Sequence, residues 1–378
     1  MSDTILTDRQ TDRQTDRQHK KRESNVELLR IVAMLIIIVH HFCVHGIVRY
    51  YDGISTNISW QIVLTQLVGW GGHMANGIFV VITGYYMFGR QVNYKKIALL
   101  TCTMFFYSWV IGAVLYGSNF FPLSIKDVVH SVIPLWFGHN WFVSCYIIFS
   151  LFIPFINKLL ISLDEKQFKK LLVILFLTDI LLPTFRFTTF IKEAPIVYFG
   201  FMYSVGAYCR QYLYCREEFS HSKKWCTYLW WSLIGLGLTI ISLDLIGIIL
   251  KKDIFIRGVW GFVKIFSTFI TIAMFMYFVT IPKFYNRTIN CLATATLGVY
   301  LIHDNDLIRV VIWKTFFPNE FYLNEWWFPI VIIIKTVVVY IVCVFIDTMR
   351  QKYIEPIYSK WLDKIWPLIV GTFRHNGF

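Results

Sequence analysis

The sequence predicts an all-α, polytopic membrane protein with about ten transmembrane helices. Three observations carry that prediction. Of 378 residues, 56% are hydrophobic and only 16% charged, against ~25% charged in soluble globular domains. The apolar residues gather in runs of about 18 or more, the length a helix needs to cross a bilayer. The 36 Lys and Arg against 23 Asp and Glu give a net charge of +13. That excess lies between the runs, where it reports topology before it reports a partner. The composition excludes a soluble enzyme, a disordered chain and a secreted disulfide scaffold. It also argues against nucleic acid as a partner, because the basic residues form no compact patch.

Taken in chain order, residues 1–24 form a polar tail too poor in apolar side chains to build a core. The tail repeats Thr-Asp-Arg-Gln three times from Thr7 to Gln18. The tetranucleotide ACAG, read as ACA GAC AGA CAG, encodes those four residues, and slippage by one unit shifts the frame. The repeat therefore suggests a phase-variation tract, suited to a product that alters the cell surface. Mixed synonymous codons in the gene would sink that hypothesis. Lys20, Lys21 and Arg22 precede the first apolar run. That run lacks a small-residue cleavage site, so it reads as an uncleaved span.

Spans are predicted near 26–47, 61–88, 97–117, 140–161, 171–186, 196–214, 227–250, 258–280, 288–308 and 328–347. The fifth is short and interrupted by Asp179 and Pro183. The ninth carries polar residues near its end. Together they make a transmembrane domain over 25–350, followed by a tail over 351–378. The basic residues fall mostly on the side of the N-terminal tail, as with Arg90, Lys95, Lys166, Arg216, Lys283 and Arg350. This bias places both termini in the cytoplasm, as expected for a multi-pass protein of a cell (inner or cytoplasmic) membrane. Lys251, Lys252 and Arg257 are the dissenting cluster on the other side. Eight cysteines are scattered with no C-x-x-C pair, which argues against zinc, and no metal is expected. The absence of a P-loop or a Gly-rich dinucleotide fingerprint disfavours an ATP-driven pump or a nicotinamide enzyme.

The first span carries the chemistry. Polar residues inside a span are costly and default to a functional reading. Glu27 and Arg30 are three apart and can pair on one helical face. Arg30 and His41 are eleven apart, which is ~1100° of rotation, within ~20° of three full turns. They share a face and lie ~16 Å apart along the axis. A cation near the cytoplasm suits a phosphorylated carrier, and a deeper imidazole suits a general base acting on a hydroxyl. The spacing leaves a second reading open: Arg30 snorkels to the interface and the histidines bond between helices. His40 lies ~100° around the helix from His41, so the two do not share a site.

Arg30, ten residues and His41 resemble the Arg-x10-His signature of the acyltransferase 3 family of integral membrane acyltransferases. The Asn76–Tyr86 segment, with Phe79 and Thr83-Gly84, resembles that family's second-span block, with Thr in place of Ser. Asn140-Trp141-Phe142 resembles its Trp-Tyr/Phe block. Leu297–His303, with Tyr300 and His303, resembles its late-span block. The resemblance covers residues 25 to about 347. It implies acyl transfer, most often of acetyl, from cytoplasmic acetyl-CoA to a hydroxyl of a cell-surface or exported polysaccharide such as capsule, O-antigen or a wall polymer. Acetyl-CoA is then a donor substrate, with no permanently bound cofactor.

Carried over by position, the resemblance makes His41 the catalytic base, with Arg30 holding the donor and Glu27 orienting Arg30. Thr83, Tyr85, Arg90 and Arg210 are candidates for donor binding. The alternatives are close helix packing for Thr83-Gly84 and positive-inside topology for Arg90 and Arg210. Asn140, Trp141, Tyr300 and His303 are candidates for acceptor binding. Trp141 also fits an interfacial anchor, and the Tyr300–Asp306 cluster and His139 also fit a solvated loop. A donor pocket is expected to open on the cytoplasmic side and to reach His41. The rival class is a transporter or flippase for a glycan or lipid-linked sugar, using the same Arg and His as substrate contacts.

Overall fold

The computed structural model describes residues 23–47, 58–118, 124–137, 140–185, 194–253, 259–316 and 318–375. The tail repeat, Arg49, His139, Lys192 and Arg257 lie outside the described residues. Among the described residues the protein is helical, with no strand.

Six helices are long and apolar enough to cross a membrane. They are α1 (Ser24–Gly46), the pair α2 (Trp60–Gly69) and α3 (Gly72–Met87), α4 (Tyr94–Gly117), α6 (Trp141–Ser162), α9 (Ser222–Leu250) and α14 (Phe328–Tyr353). The other four predicted spans fall on shorter or broken helices. These are α7 (Glu165–Leu175), α8 (Pro195–Tyr208), α10 (Lys264–Thr280), and α11 (Arg287–Thr294) with α12 (Thr296–His303). Other helices include the short α5 (Ile125–Val132) and α13 (Asp306–Val310) and the longer α15 (Glu355–His375). Apolar side chains on the outer helices face outward, with Leu238 61%, Ile333 64% and Phe345 64% exposed. That inverted pattern suits hydrocarbon surroundings.

Helix α1 runs through the core and sets the frame for the site. Its first turn is tied down by polar side chains. The Ser24 hydroxyl donates to Asn290 Oδ1 at 2.8 Å and accepts from the Asn286 backbone N–H at 2.7 Å. Asn25 Nδ2 donates to the Phe278 carbonyl at 2.7 Å. The kink between α2 and α3 exists because α1 passes against it. A Cβ on Gly71 would sit 2.1 Å from Ile36, and one on Gly72 would sit 2.3 Å from the His40 ring. Helices α3 and α8 meet backbone to backbone. A Cβ at Gly84 would lie 2.1 Å from the Tyr203 carbonyl oxygen, and one at Gly206 would lie 2.2 Å from that of Val81. Small residues permit such approach between membrane helices.

The breaks follow sequence chemistry. Asp164 and Gln167 form a capping box that starts α7. The helix then widens into a π turn at Phe176–Leu181, where Asp179 lies and which Pro183 follows. Helix α12 ends at His303, and Asn305 restarts the chain by accepting from the Leu307 N–H at 3.1 Å. The segment expected as a tail after residue 350 is mostly the helix α15. It docks on α4 through Thr103 and Tyr358 hydroxyls at 3.0 Å and through Lys95 with Asp363. Arg350 joins α14 to α15 by donating to Glu355 Oε2 at 2.8 Å.

Candidate active site

Arg30, Met34 and Ile37 follow one another at helical spacing on the face of α1 that continues to His41. The first three line a narrow cavity of about 200 Å³, walled by Phe79, Thr83, Phe142, Tyr146 and Tyr300. Thr83 donates to the Phe79 carbonyl at 2.8 Å and also meets the Tyr146 hydroxyl at 2.9 Å. The threonine is therefore held by its own helix and presents the cavity with a polar edge.

A second cavity, about 520 Å³, opens beside the start of α1, the side that carries the N-terminal tail. Arg30 lines this cavity as well, so one guanidinium stands between the two spaces. The larger cavity also gathers Tyr85, Arg90, Arg210 and Lys283, with Glu23 and Glu27. Four cations face two carboxylates. Glu23 pairs with Lys283 at 2.5 Å, and Glu27 lies 3.8 Å from Arg30. Among the described residues Arg90 and Arg210 have no carboxylate partner. The Arg210 guanidinium instead covers the Tyr85 ring at 5.3 Å and the Tyr214 ring at 5.8 Å. The predicted donor residues Arg30, Tyr85, Arg90 and Arg210 therefore share one cavity, while Thr83 lines the inner one.

Farther along α1 lies a buried polar cluster. His41 Nδ1 is 3.0 Å from His303 Nε2, and His303 Nδ1 is 2.6 Å from the Val299 carbonyl. The proton positions follow from these contacts. A carbonyl only accepts, so His303 carries its proton on Nδ1 and offers Nε2 as acceptor. His41 then donates from Nδ1, which leaves the Nε2 lone pair free for chemistry. That nitrogen faces Asp304 Oδ1 at 3.4 Å, and His45 Nε2 lies 3.8 Å from the same oxygen. Arg309 stands 3.8 Å from Asp304 Oδ1 and binds Asp306 at 2.5 Å. Tyr300 is buried between the cluster and the inner cavity. Its ring is 6.4 Å from that of His41, and its hydroxyl faces Asp304.

One expectation is corrected. The inner cavity does not reach His41: it stops at Ile37 and Tyr300, one helical turn short. Trp141 lines neither cavity; it is 44% exposed, with its ring edge-on to Phe142. Its neighbour Asn140 is fully buried, and among the described residues neither of its amide atoms has a hydrogen-bond partner. His40 turns away as its angle on the helix required, meeting the Gly69 carbonyl and the Trp260 ring.

Several site residues escaped the sequence reading. Lys283 was assigned to topology alone. Asp304 reads from the sequence as part of a polar cluster suited to loop solvation or acceptor binding, with no link to His41, and nothing in the sequence singles out Arg309. His45 sits four residues after His41, a spacing that already placed both on one face.

Neither the curated proteins nor the solved structures contain a match to this chain. The model of an acyltransferase domain, acyltransferase 3, matches residues 23–347. This span runs from the first carboxylate of the cation-rich cavity, through His41 and His303, to Asp347 of α14. The chain belongs to the acyltransferase 3 family and is a multi-pass membrane acyltransferase.

Proposed function

We propose that the protein is an O-acetyltransferase that moves acetyl from acetyl-CoA to a hydroxyl of a cell-surface or exported polysaccharide. One observation carries the reading: Arg30 lines both a cation-rich outer cavity and a narrow, mostly apolar inner one that ends beside the His41 cluster. Phosphates favour Arg and Lys. A long, weakly polar arm ending in a thioester suits the inner space. The basic bias of the tail side supports placing that side in the cytoplasm, where the donor is made.

In the reaction the acceptor oxygen attacks the thioester carbon and gives its proton to His41 Nε2. A C–O bond forms as the C–S bond breaks, and the proton passes to the departing thiolate. His303 fixes the His41 tautomer, and Asp304 faces the imidazolium as it forms. Because the inner cavity stops at Tyr300, this ring must move for the thioester to meet His41. The buried, unpartnered amide of Asn140 is the acceptor-side group best placed to take up a sugar hydroxyl. The transport reading draws less support, since neither cavity runs past Tyr300 to the other side.

The test compares surface polysaccharide from cells with the gene intact, deleted, or carrying His41→Ala. Proton NMR before and after mild base reads the O-acetyl signals. Loss in both altered strains, with the His41→Ala protein still in the membrane, is expected. An unchanged acetyl pattern with altered polymer export would overturn the proposal in favour of transport.

A further inference from the structure

We propose that His41, His45 and Asp304 form a binding site for a divalent transition metal, of which zinc is the best-fitting example. The site lies at the far end of α1 and is mostly buried. The three donor atoms lie within 4.8 Å of one another. A tetrahedral zinc with bonds of ~2.0–2.1 Å holds neighbouring ligand atoms ~3.3–3.4 Å apart. The His41–Asp304 separation of 3.4 Å already meets that value and the His45–Asp304 separation of 3.8 Å is close to it, while the two imidazoles, within 4.8 Å of each other, must draw together around the ion.

The surroundings prepare the ligands. Histidines four apart on a helix point the same way. The hydrogen bond from His41 Nδ1 to His303 Nε2 directs the free lone pair at Nε2, the atom that faces the carboxylate. A metal-ligating histidine characteristically makes such a bond through its other nitrogen. Asp304 comes from the turn after α12, so the site ties two elements together. Arg309 is a competing cation at 3.8 Å from the same Asp304 oxygen, but its closer contact is Asp306 at 2.5 Å. The His41 and His45 side chains keep 12% and 15% of their surface exposed, which leaves a way in and a fourth coordination position for water.

The consequence rests on the proposed function. A metal on His41 Nε2 takes the same lone pair that would accept the acceptor's proton. Metal occupancy and acyl transfer then exclude each other, and zinc is a reversible inhibitor acting from the far face.

Equilibrium dialysis of the purified full chain in detergent with zinc-buffered solutions tests the site without reference to activity. One zinc per chain is expected in the wild type, with binding at least tenfold weaker in both His45→Gln and Asp304→Asn. Zinc bound undiminished in both variants belongs elsewhere, such as the scattered cysteines, and overturns the site, as does a wild type that binds none. A transfer assay adds a second arm. Zinc should inhibit the wild type, and a chelator should restore it. If zinc binds as predicted but leaves transfer untouched, the site stands, and what falls is the reading of His41 as the base.

Discussion

Gly84→Ala tests the packing beside the two cavities. The added Cβ would sit 2.1 Å from the Tyr203 carbonyl oxygen, and ordinary contact begins at 3.4 Å. Helices α3 and α8 must therefore separate by about 1.3 Å at that level. Neither partner can yield alone: the obstacle is helical backbone, and on the facing side Gly206 already lies against Val81. Overpacking typically costs ~1–3 kcal/mol, and a backbone clash falls at the upper end. At roughly 2 °C per kcal/mol for a chain of this size, Tm falls by about 6 °C. The separation also carries Thr83 and Tyr85 with it, one on each cavity, so donor affinity falls together with stability. Thermal unfolding of the purified protein reads the first effect and donor titration the second. Gly200→Ala is the matched control on α8, because nothing lies within 4 Å of its would-be Cβ, and it should change stability by no more than ~0.5 kcal/mol. A Gly84→Ala protein that melts with the wild type refutes the close-contact argument.

Other predictions follow from the same geometry. His303→Ala removes the acceptor that fixes the His41 tautomer, so the transfer rate should fall by ~10–100-fold, with donor affinity unchanged; a weakened donor affinity instead would place His303 in the donor pocket. Arg210→Ala removes a cation without a carboxylate partner from the outer cavity. Losing a charged contact of ~1.5–3 kcal/mol should raise KM for the donor by ~10–100-fold with a smaller effect on kcat, and an unchanged KM would return Arg210 to a purely topological role. Tyr300→Phe keeps the ring and removes the hydroxyl that faces Asp304, so stability should fall by ~0.5–1.5 kcal/mol by thermal melt; an unchanged melt would show that the hydroxyl contributes nothing there. Glu165 is held below the usual carboxylate range by Lys169 first, then by Tyr208 and Arg216. A depressed carboxylate contributes stability above its ordinary value of 4.5 that is lost as pH falls through the native one. Glu165→Gln should therefore flatten the acid limb of the stability profile and leave the neutral limb parallel to wild type.

The parts of the fold written in apolar periodicity were legible in the sequence. The six long helices are uniform apolar stretches, and the interruption at Asp179 and Pro183 announced the π turn. The helix α15 was missed because 351–378 is too polar for a span. Yet Tyr358 and Leu362 sit four apart on a face that docks, and such a stripe reads as interfacial or packed helix. In the site, Arg30 and His41 were legible because one helix carries both and its geometry is fixed. The Asp304–His41 contact was not, since it joins residues from distant elements and depends on how α12 ends. Lys283 shows a different limit. A basic residue at a span end serves topology and ligand alike, and only the cavity it lines separates the two. Trp141 is half exposed while its neighbours Phe142 and Asn140 turn in, a difference that the matching block alone does not announce.

The path of α1 has a further consequence. A single unbroken helix bears both the guanidinium that divides the cavities and the imidazole of the far cluster, so their separation is set by helical rise and cannot adjust to the ligand. On the proposed reading, α1 is a ruler. A thioester anchored at Arg30 must be long enough to span the ~16 Å to His41, and a donor with the right charged end but a shorter arm would occupy the outer cavity without reacting. Selection among donors then falls on length as much as on affinity, and such truncated donors should behave as competitive inhibitors.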